Sequence, residues 1–190
     1  MTDVRVACFG TISAFVEDRP VDLGGRLQRS VLGMLVAAQG KVVPVDRLLD
    51  DLWQGEPPPR ALASLQVYVS RLRAVLEPDR RPREPAAVIR SQAPGYVLDL
   101  PVDAVDVWAF SHDVRRAREL TSTEAVLATT RTALGTWAEP FEAFADQEWA
   151  RPEVVRLTAL RAEAVELRGA ALLADGRLAE AVDLLGPHVD

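Results

Sequence analysis

A chain of 190 residues with 48% hydrophobic and 26% charged side chains is long enough for one or two domains with a proper buried core, and its composition is that of an ordinary folded protein. No apolar run approaches the ~20 residues that span a bilayer. The N-terminus MTDVRVACFG lacks a signal-peptide pattern, and Cys8 is the single cysteine, which leaves neither an internal disulfide nor a cysteine metal cluster. We therefore expect a cytoplasmic, nucleoid-associated protein with no membrane partner and no cofactor.

Residues 4–17 (VRVACFGTISAFVE) read as two short strands broken at Gly10-Thr11, and Val21 to Leu23 as a third. Leu27, Val31, Leu32, Leu35 and Val36 recur at helical spacing up to Gly40. A second helix is expected from about Val45 to Trp53, with Pro44 tolerated in its first turn. Pro57-Pro58-Pro59 then opens a third helix, Arg60 to Leu76, whose apolar stripe is Leu62, Leu65, Val69, Leu72 and Leu76. Pro78, Pro82 and Pro85 keep the next stretch a loop. Ala87 to Arg90 and Tyr96 to Leu100 read as a hairpin turning through Ala93-Pro94-Gly95.

After Pro101 the pattern is all-helical. One helix spans Val105 to Leu120 with Asp103 as its cap, and Thr121 with Glu124 makes a capping box for the next, to about Trp137. Residues 138–148 are an irregular aromatic-acidic stretch. Pro152 to Ala174 and Arg177 to Leu185 are helices around an Asp175-Gly176 turn, and AALLADGRLAEAVDLL has the spacing of a tetratricopeptide hairpin. The chain stops at Asp190 where a further helix would be expected, which suggests a truncated second domain or a short member of a longer family.

The expected architecture is thus α+β: an N-terminal winged helix-turn-helix in residues 1–101, then an all-α tetratricopeptide-like domain in 102–190. The charge divides with it. The net −6 resolves into 13 basic and 12 acidic groups (+1) in residues 1–101 against 9 and 16 (−7) in the remainder. Window 60–90 holds seven arginines and three acids, or +4. Local charge sets the field at a binding face. A winged helix puts its third helix in the DNA major groove and its hairpin beside it. With Val69 as the buried direction, Arg60, Ser64, Val67 and Arg71 fall within ~40° of the opposite pole at ~100° per residue. Arg71 could fork onto guanine or grip a phosphate, Ser64 is small enough for close approach, and Val67 could meet a thymine methyl. Arg73 flanks the face toward phosphate. Arginines on an exposed helix are often merely solvated; the hairpin and proline loop in the right order favour DNA.

SLQVYVSRLRAVLEP followed by VIRSQAPGYVLDL resembles the OmpR-type winged helix, and more narrowly the antibiotic-pathway regulators called SARP (AfsR/SARP). ALGTWAEP, the QEWA tryptophan and RLTALR resemble the bacterial transcriptional activator domain of those proteins. The resemblance implies a transcriptional activator, not an enzyme. It would bind promoter direct repeats in double-stranded DNA, recruit RNA polymerase with its sigma factor, and switch on a secondary-metabolite cluster. It carries DNA contact onto Ser64, Val67, Tyr68, Arg71 and Arg73 and, in the wing, onto Arg90 and Gln92. Ser91 and Gln92 depart from the threonine and arginine of many relatives. The connection Gln54, Gly55, Glu56 matches a polymerase-touching loop, although a plain helix connection reads equally well. The helical domain would dimerise the protein, pack on the winged helix or contact polymerase.

Two rival readings remain at this point. One is an interaction scaffold with a degenerate winged helix. The other is a ligand-gated regulator, motivated by the aromatic stretch 137–149. His112 and His188 lie far apart without ligand partners, Gly24-Gly25 lacks the lysine of a phosphate loop, and Cys8 reads as a small core residue. Trp108, Phe110, Trp137, Phe141, Phe144 and Trp149 read as core packing.

Overall fold

Valines at alternate positions make the N-terminal strands half-buried ribbons. Val4–Ala7 (β1), Ser13–Val16 (β2) and Arg19–Val21 (β3) form an antiparallel meander in the order β1-β2-β3, with Val4 opposite Val16. The computed structural model describes residues 3–186. The third strand lies two residues earlier than expected, because Glu17 and Asp18 take positive φ and turn the chain at once after β2.

Helices Arg26–Ala37 (α1), Val45–Trp53 (α2) and Ala61–Leu76 (α3) follow, and α3 packs on α1 and α2. Between α1 and α2 runs a two-residue strand, Val43–Pro44 (β4), which the sequence reading missed; Pro44 is the residue before α2 and does not lie within its first turn. The hairpin is Ile89–Gln92 (β5) and Gly95–Leu98 (β6), and the second sheet is ordered β4-β6-β5. Leu62, expected in the buried stripe, is 47% exposed, while Ala61 is buried. Leu62 lies about 60° around the helix from Leu65, at the margin of the buried stripe, whereas Ala61 lies about 40° from it on the other side.

The remainder is helical: Asp106–Glu119 (α4), Thr123–Gly135 (α5), Arg151–Ala174 (α6) and Leu178–Leu185 (α7), with single 3-10 turns at Val102–Ala104 and Glu142–Phe144. Two caps differ from expectation. Asp103 sits in the first 3-10 turn and makes no capping bond, since α4 starts three residues later. The α5 cap is Ser122, whose Oγ accepts from the Ala125 N–H, so the residue three positions on is an alanine and the expected Thr121–Glu124 box does not form. In the α6–α7 hairpin Gly176 takes a φ of 75°, and Gly169 lets Leu185 lie against α6, where a Cβ would meet the leucine side chain at 3.0–3.2 Å.

One hydrophobic cluster runs from Val4 through the winged helix to Ala164 on α6. The two units therefore share a core. The Asp106 carboxylate accepts from the backbone N–H of Cys8 at 2.8 Å, of Phe9 at 2.9 Å and of Val107 at 2.7 Å. Burial pushes this carboxyl up from its usual range against the pull of those three donors. Phe141 N–H donates to the Cys8 carbonyl at 2.7 Å, and Gly10 N–H to that of Glu139 at 2.8 Å. Trp108 Nε1 donates to the Val36 carbonyl at 2.8 Å. Glu153, only 6% exposed, accepts from Gln39 Nε2 and from Arg156, whose Nη2 also donates to Ser111 Oγ. Trp149 packs into a notch on α1 left by Gly33.

The aromatic residues expected in the core are there. Trp108, Phe110, Phe141, Phe144 and Trp149 are buried, and Trp137 packs tilted against Phe110 with ring centroids 5.3 Å apart. Packing thus occupies the stretch that motivated a ligand. Cys8 is fully buried, and burial, aided by the nearby charges of Asp106 and Glu153, pushes its thiol well above the usual range. His112 is exposed on α4, and His188 lies outside the described residues.

Candidate nucleic-acid interface

The sequence of α3 decides which side faces outward. Ala61, Leu65, Val69, Leu72 and Leu76 are buried against the body, which centres the buried direction nearer Leu65 than Val69. The outward pole is therefore turned by about 40° from the expected one, at 100° per residue. Exposed on α3 are Leu62, Ala63, Gln66, Val67, Ser70, Arg71 and Ala74; Ser64, Tyr68 and Arg73 are half-buried. Of the expected face, Val67 (46% exposed) and Arg71 lie outward, and Arg60 is exposed at the residue before the helix. Ser64 and Tyr68 sit on its receding edge. Gln66 and Ser70 are outward residues the sequence reading missed. Counting Ala61 in the apolar stripe instead of Leu62 would have found them.

Arg73 has another engagement. Its Nε donates to the Ile89 carbonyl at 2.7 Å and its Nη2 to Ser91 Oγ at 2.9 Å, and its guanidinium carbon lies 5.6 Å from the centre of the Tyr96 ring. Burial pulls its pKa down from the ordinary arginine value. This side chain ties α3 to the hairpin rather than projecting from the face as expected. The hairpin is also held from its other side: β6 pairs with β4, and Val45 N–H donates to the Pro94 carbonyl at 3.2 Å. Gly95 is required there, because a Cβ would fall on the Val43 carbonyl oxygen. α3 and the hairpin are thereby fixed relative to one another.

At the hairpin, Arg90 is paired with Asp99 across the two strands, which offsets its charge. Ser91, Gln92, Ala93 and Pro94 are exposed at the tip. Gln54 (φ 53°), Gly55 (φ 83°) and Glu56 form an exposed left-handed corner after α2. Gln54 and Gly55 face Asp146, Gln147 and Glu148 across an open groove of about 760 Å³ that Asp50 and Asp51 also line. The structure thus brings α3 and the hairpin together and sets the Gln54–Glu56 corner apart from them, beside the helical unit.

Two family models match the chain: "Transcriptional regulatory protein, C terminal" over residues 18–98 and "Bacterial transcriptional activator domain" over residues 105–190. The regulatory protein AfsR of Streptomyces coelicolor is 32% identical over 183 residues, which is 96% of this chain and 18% of AfsR. The regulatory protein DnrI of Streptomyces peucetius is 33% identical over 140 residues, 70% of this chain and 52% of DnrI. The chain thus spans about half of one relative and under a fifth of the other. A solved structure of Mycobacterium tuberculosis EmbR, in complex with a low-affinity phosphopeptide, superposes with a TM-score of 0.86 at 27% identity, covering 98% of this chain and 50% of EmbR.

Proposed function

The chain belongs to the SARP family of transcriptional regulators, and from that premise we propose that it is a sequence-specific activator that binds direct repeats in promoter DNA and recruits RNA polymerase with its sigma factor, at a secondary-metabolite gene cluster. The observation that carries this reading is the outward face of α3, with Val67 and Arg71 free of the core, beside a hairpin locked to the same helix by Arg73. Helix α3 enters the major groove, where Arg71 supplies a forked donor for guanine or phosphate and Val67 an apolar contact for a thymine methyl. The hairpin tip with Gln92, and Arg90 if it exchanges Asp99 for phosphate, lies along the neighbouring backbone or minor groove. Arg60 approaches phosphate at the start of α3, and Ser64 and Tyr68 border the contact. Gln54, Gly55 and Glu56 lie away from the DNA face, where a polymerase subunit can reach them. The helical unit contributes packing, polymerase contact or a homodimer interface.

The test is fluorescence anisotropy of the chain on duplexes carrying spaced direct repeats, at two salt concentrations. Tight binding that prefers the repeats and weakens with salt supports the reading, since each phosphate neutralised adds roughly −0.9 to the slope of log K against log salt. Arg71→Ala should cost about 1–3 kcal/mol on a preferred duplex. A folded chain that retains no duplex at low salt would overturn the proposal and leave a protein-interaction scaffold.

A further inference from the structure

The exposed face of α3 holds only two side chains, among the described residues, that are both long and able to hydrogen-bond: Gln66 and Arg71. Its other members are Leu62, Ala63, Val67, Ser70 and Ala74. Ala63, Ser70 and Ala74 carry one or two side-chain heavy atoms and touch a base only where the helix backbone approaches closely, and none of them offers a paired donor and acceptor. Ser64 is half-buried, and Arg73 is turned back onto the hairpin through Ile89 and Ser91. Gln66 and Arg71 flank Val67 on opposite sides, about 140° apart around the axis. They are separated by roughly 7.5 Å of helix rise at 1.5 Å per residue, about two base-pair steps at 3.4 Å each.

Resting on the DNA-binding reading above, we propose that Gln66 is a specificity-determining residue that reads an adenine in the operator, about two base pairs from the base read by Arg71. A glutamine amide presents a donor and an acceptor side by side, the complement of adenine N7 and N6–H₂ in the major groove. No other base edge offers that pair there. Val67, 46% exposed between the two arms, is placed for the methyl of a thymine within the same short element. The element so defined is read by one amide, one methyl contact and one guanidinium, so its selectivity at the adenine position rests on Gln66 alone.

The experiment is selection of the 190-residue chain against a randomised duplex library, with sequencing of the retained DNA, repeated for Gln66→Ala and Arg71→Ala. Each variant is first checked by circular dichroism for an unchanged melting curve, as expected for exposed positions. Wild type should enrich an adenine that Gln66→Ala renders degenerate, and Arg71→Ala should relax a different position nearby. On the wild-type motif Gln66→Ala should bind on the order of tenfold more weakly, and the loss should vanish on a duplex already substituted at that adenine. An unchanged motif from Gln66→Ala, or an equal loss on every duplex, overturns the assignment while leaving DNA binding in place. Failure of wild type to enrich any sequence overturns both.

Discussion

Replacing Asp106 by alanine removes the acceptor for three backbone donors at once: Cys8, Phe9 and Val107. Two of these belong to the chain leaving β1, about a hundred residues away, and Cys8 and Val107 have no exposed surface through which water could replace the carboxylate. An orphaned buried donor costs about 1–3 kcal/mol. Three of them, less the partial hydration open to Phe9, give roughly 4 kcal/mol. For a chain of this length each kcal/mol moves the melting temperature by roughly 2–4 °C, so the expected drop is about 8–16 °C. The measurement is urea and thermal denaturation followed by circular dichroism, with Thr11→Ala as comparison. That change deletes an exposed hydrogen bond across the same seam, from Thr11 to Glu142, and should cost about 1 kcal/mol or less. Asp106→Asn keeps one acceptor oxygen and should fall between the two. If Asp106→Ala destabilises no more than Thr11→Ala, the carboxylate does not hold the seam and the argument fails.

Three further outcomes are expected. Gly33→Ala would normally favour a helix by about 1 kcal/mol, but the new methyl would lie 2.5 Å from the edge of the Trp149 ring and 2.8 Å from Ile12. A net loss of about 1–3 kcal/mol in urea denaturation is expected, and a stabilised variant would show that Trp149 does not occupy the notch. Gly95→Ala drives a methyl into the Val43 carbonyl, which is backbone and cannot rotate away, so β4 must part from β6 at a cost of more than about 3 kcal/mol; wild-type hydrogen-exchange protection at Tyr96 would contradict this. Folding raises the pKa of Cys8, so the unfolded thiol ionises from about pH 8.5 while the folded one stays protonated. Stability from this group is complete below that pH and is lost as pH rises toward the folded value, at about 1.4 kcal/mol per unit. Urea midpoints between pH 8.5 and 9.5 should fall more steeply for wild type than for Cys8→Ala, and parallel slopes would refute it.

Much of the fold is legible in the sequence because it rests on local periodicity. The bounds of α2 follow from the spacing of Leu48 and Leu52, and the place of the hairpin turn from Ala93-Pro94, although Gly95, expected in the turn, is the first residue of β6. What is not local is lost. Strand β4 is two residues long and exists only because β6 lies beside it, so no pattern announces it. The outward face of α3 is displaced because the leucine at 62 looks like a better core residue than the alanine at 61, whereas the fold buries Ala61 and leaves Leu62 exposed. Asp106 looks like any acid near a helix start; its partners at Cys8 and Phe9 are set by the tertiary fold. Arg73 has the composition of a phosphate contact, and only the position of the Ile89 carbonyl shows where it is held.

The shared core has a consequence for modularity. The first family match begins at residue 18, yet β1 and the residues after it bond to Asp106, Glu139 and Phe141 of the helical unit, and Trp149 fills a notch in α1. A fragment ending near Leu100 would expose the Gly33 notch and the unpaired amides of Cys8 and Phe9. The two units are inherited as recognisable pieces but behave as one mechanical body. Displacing the outward face of α3 relative to the helical unit would break the bonds of Cys8, Phe9 and Gly10 to Asp106 and Glu139.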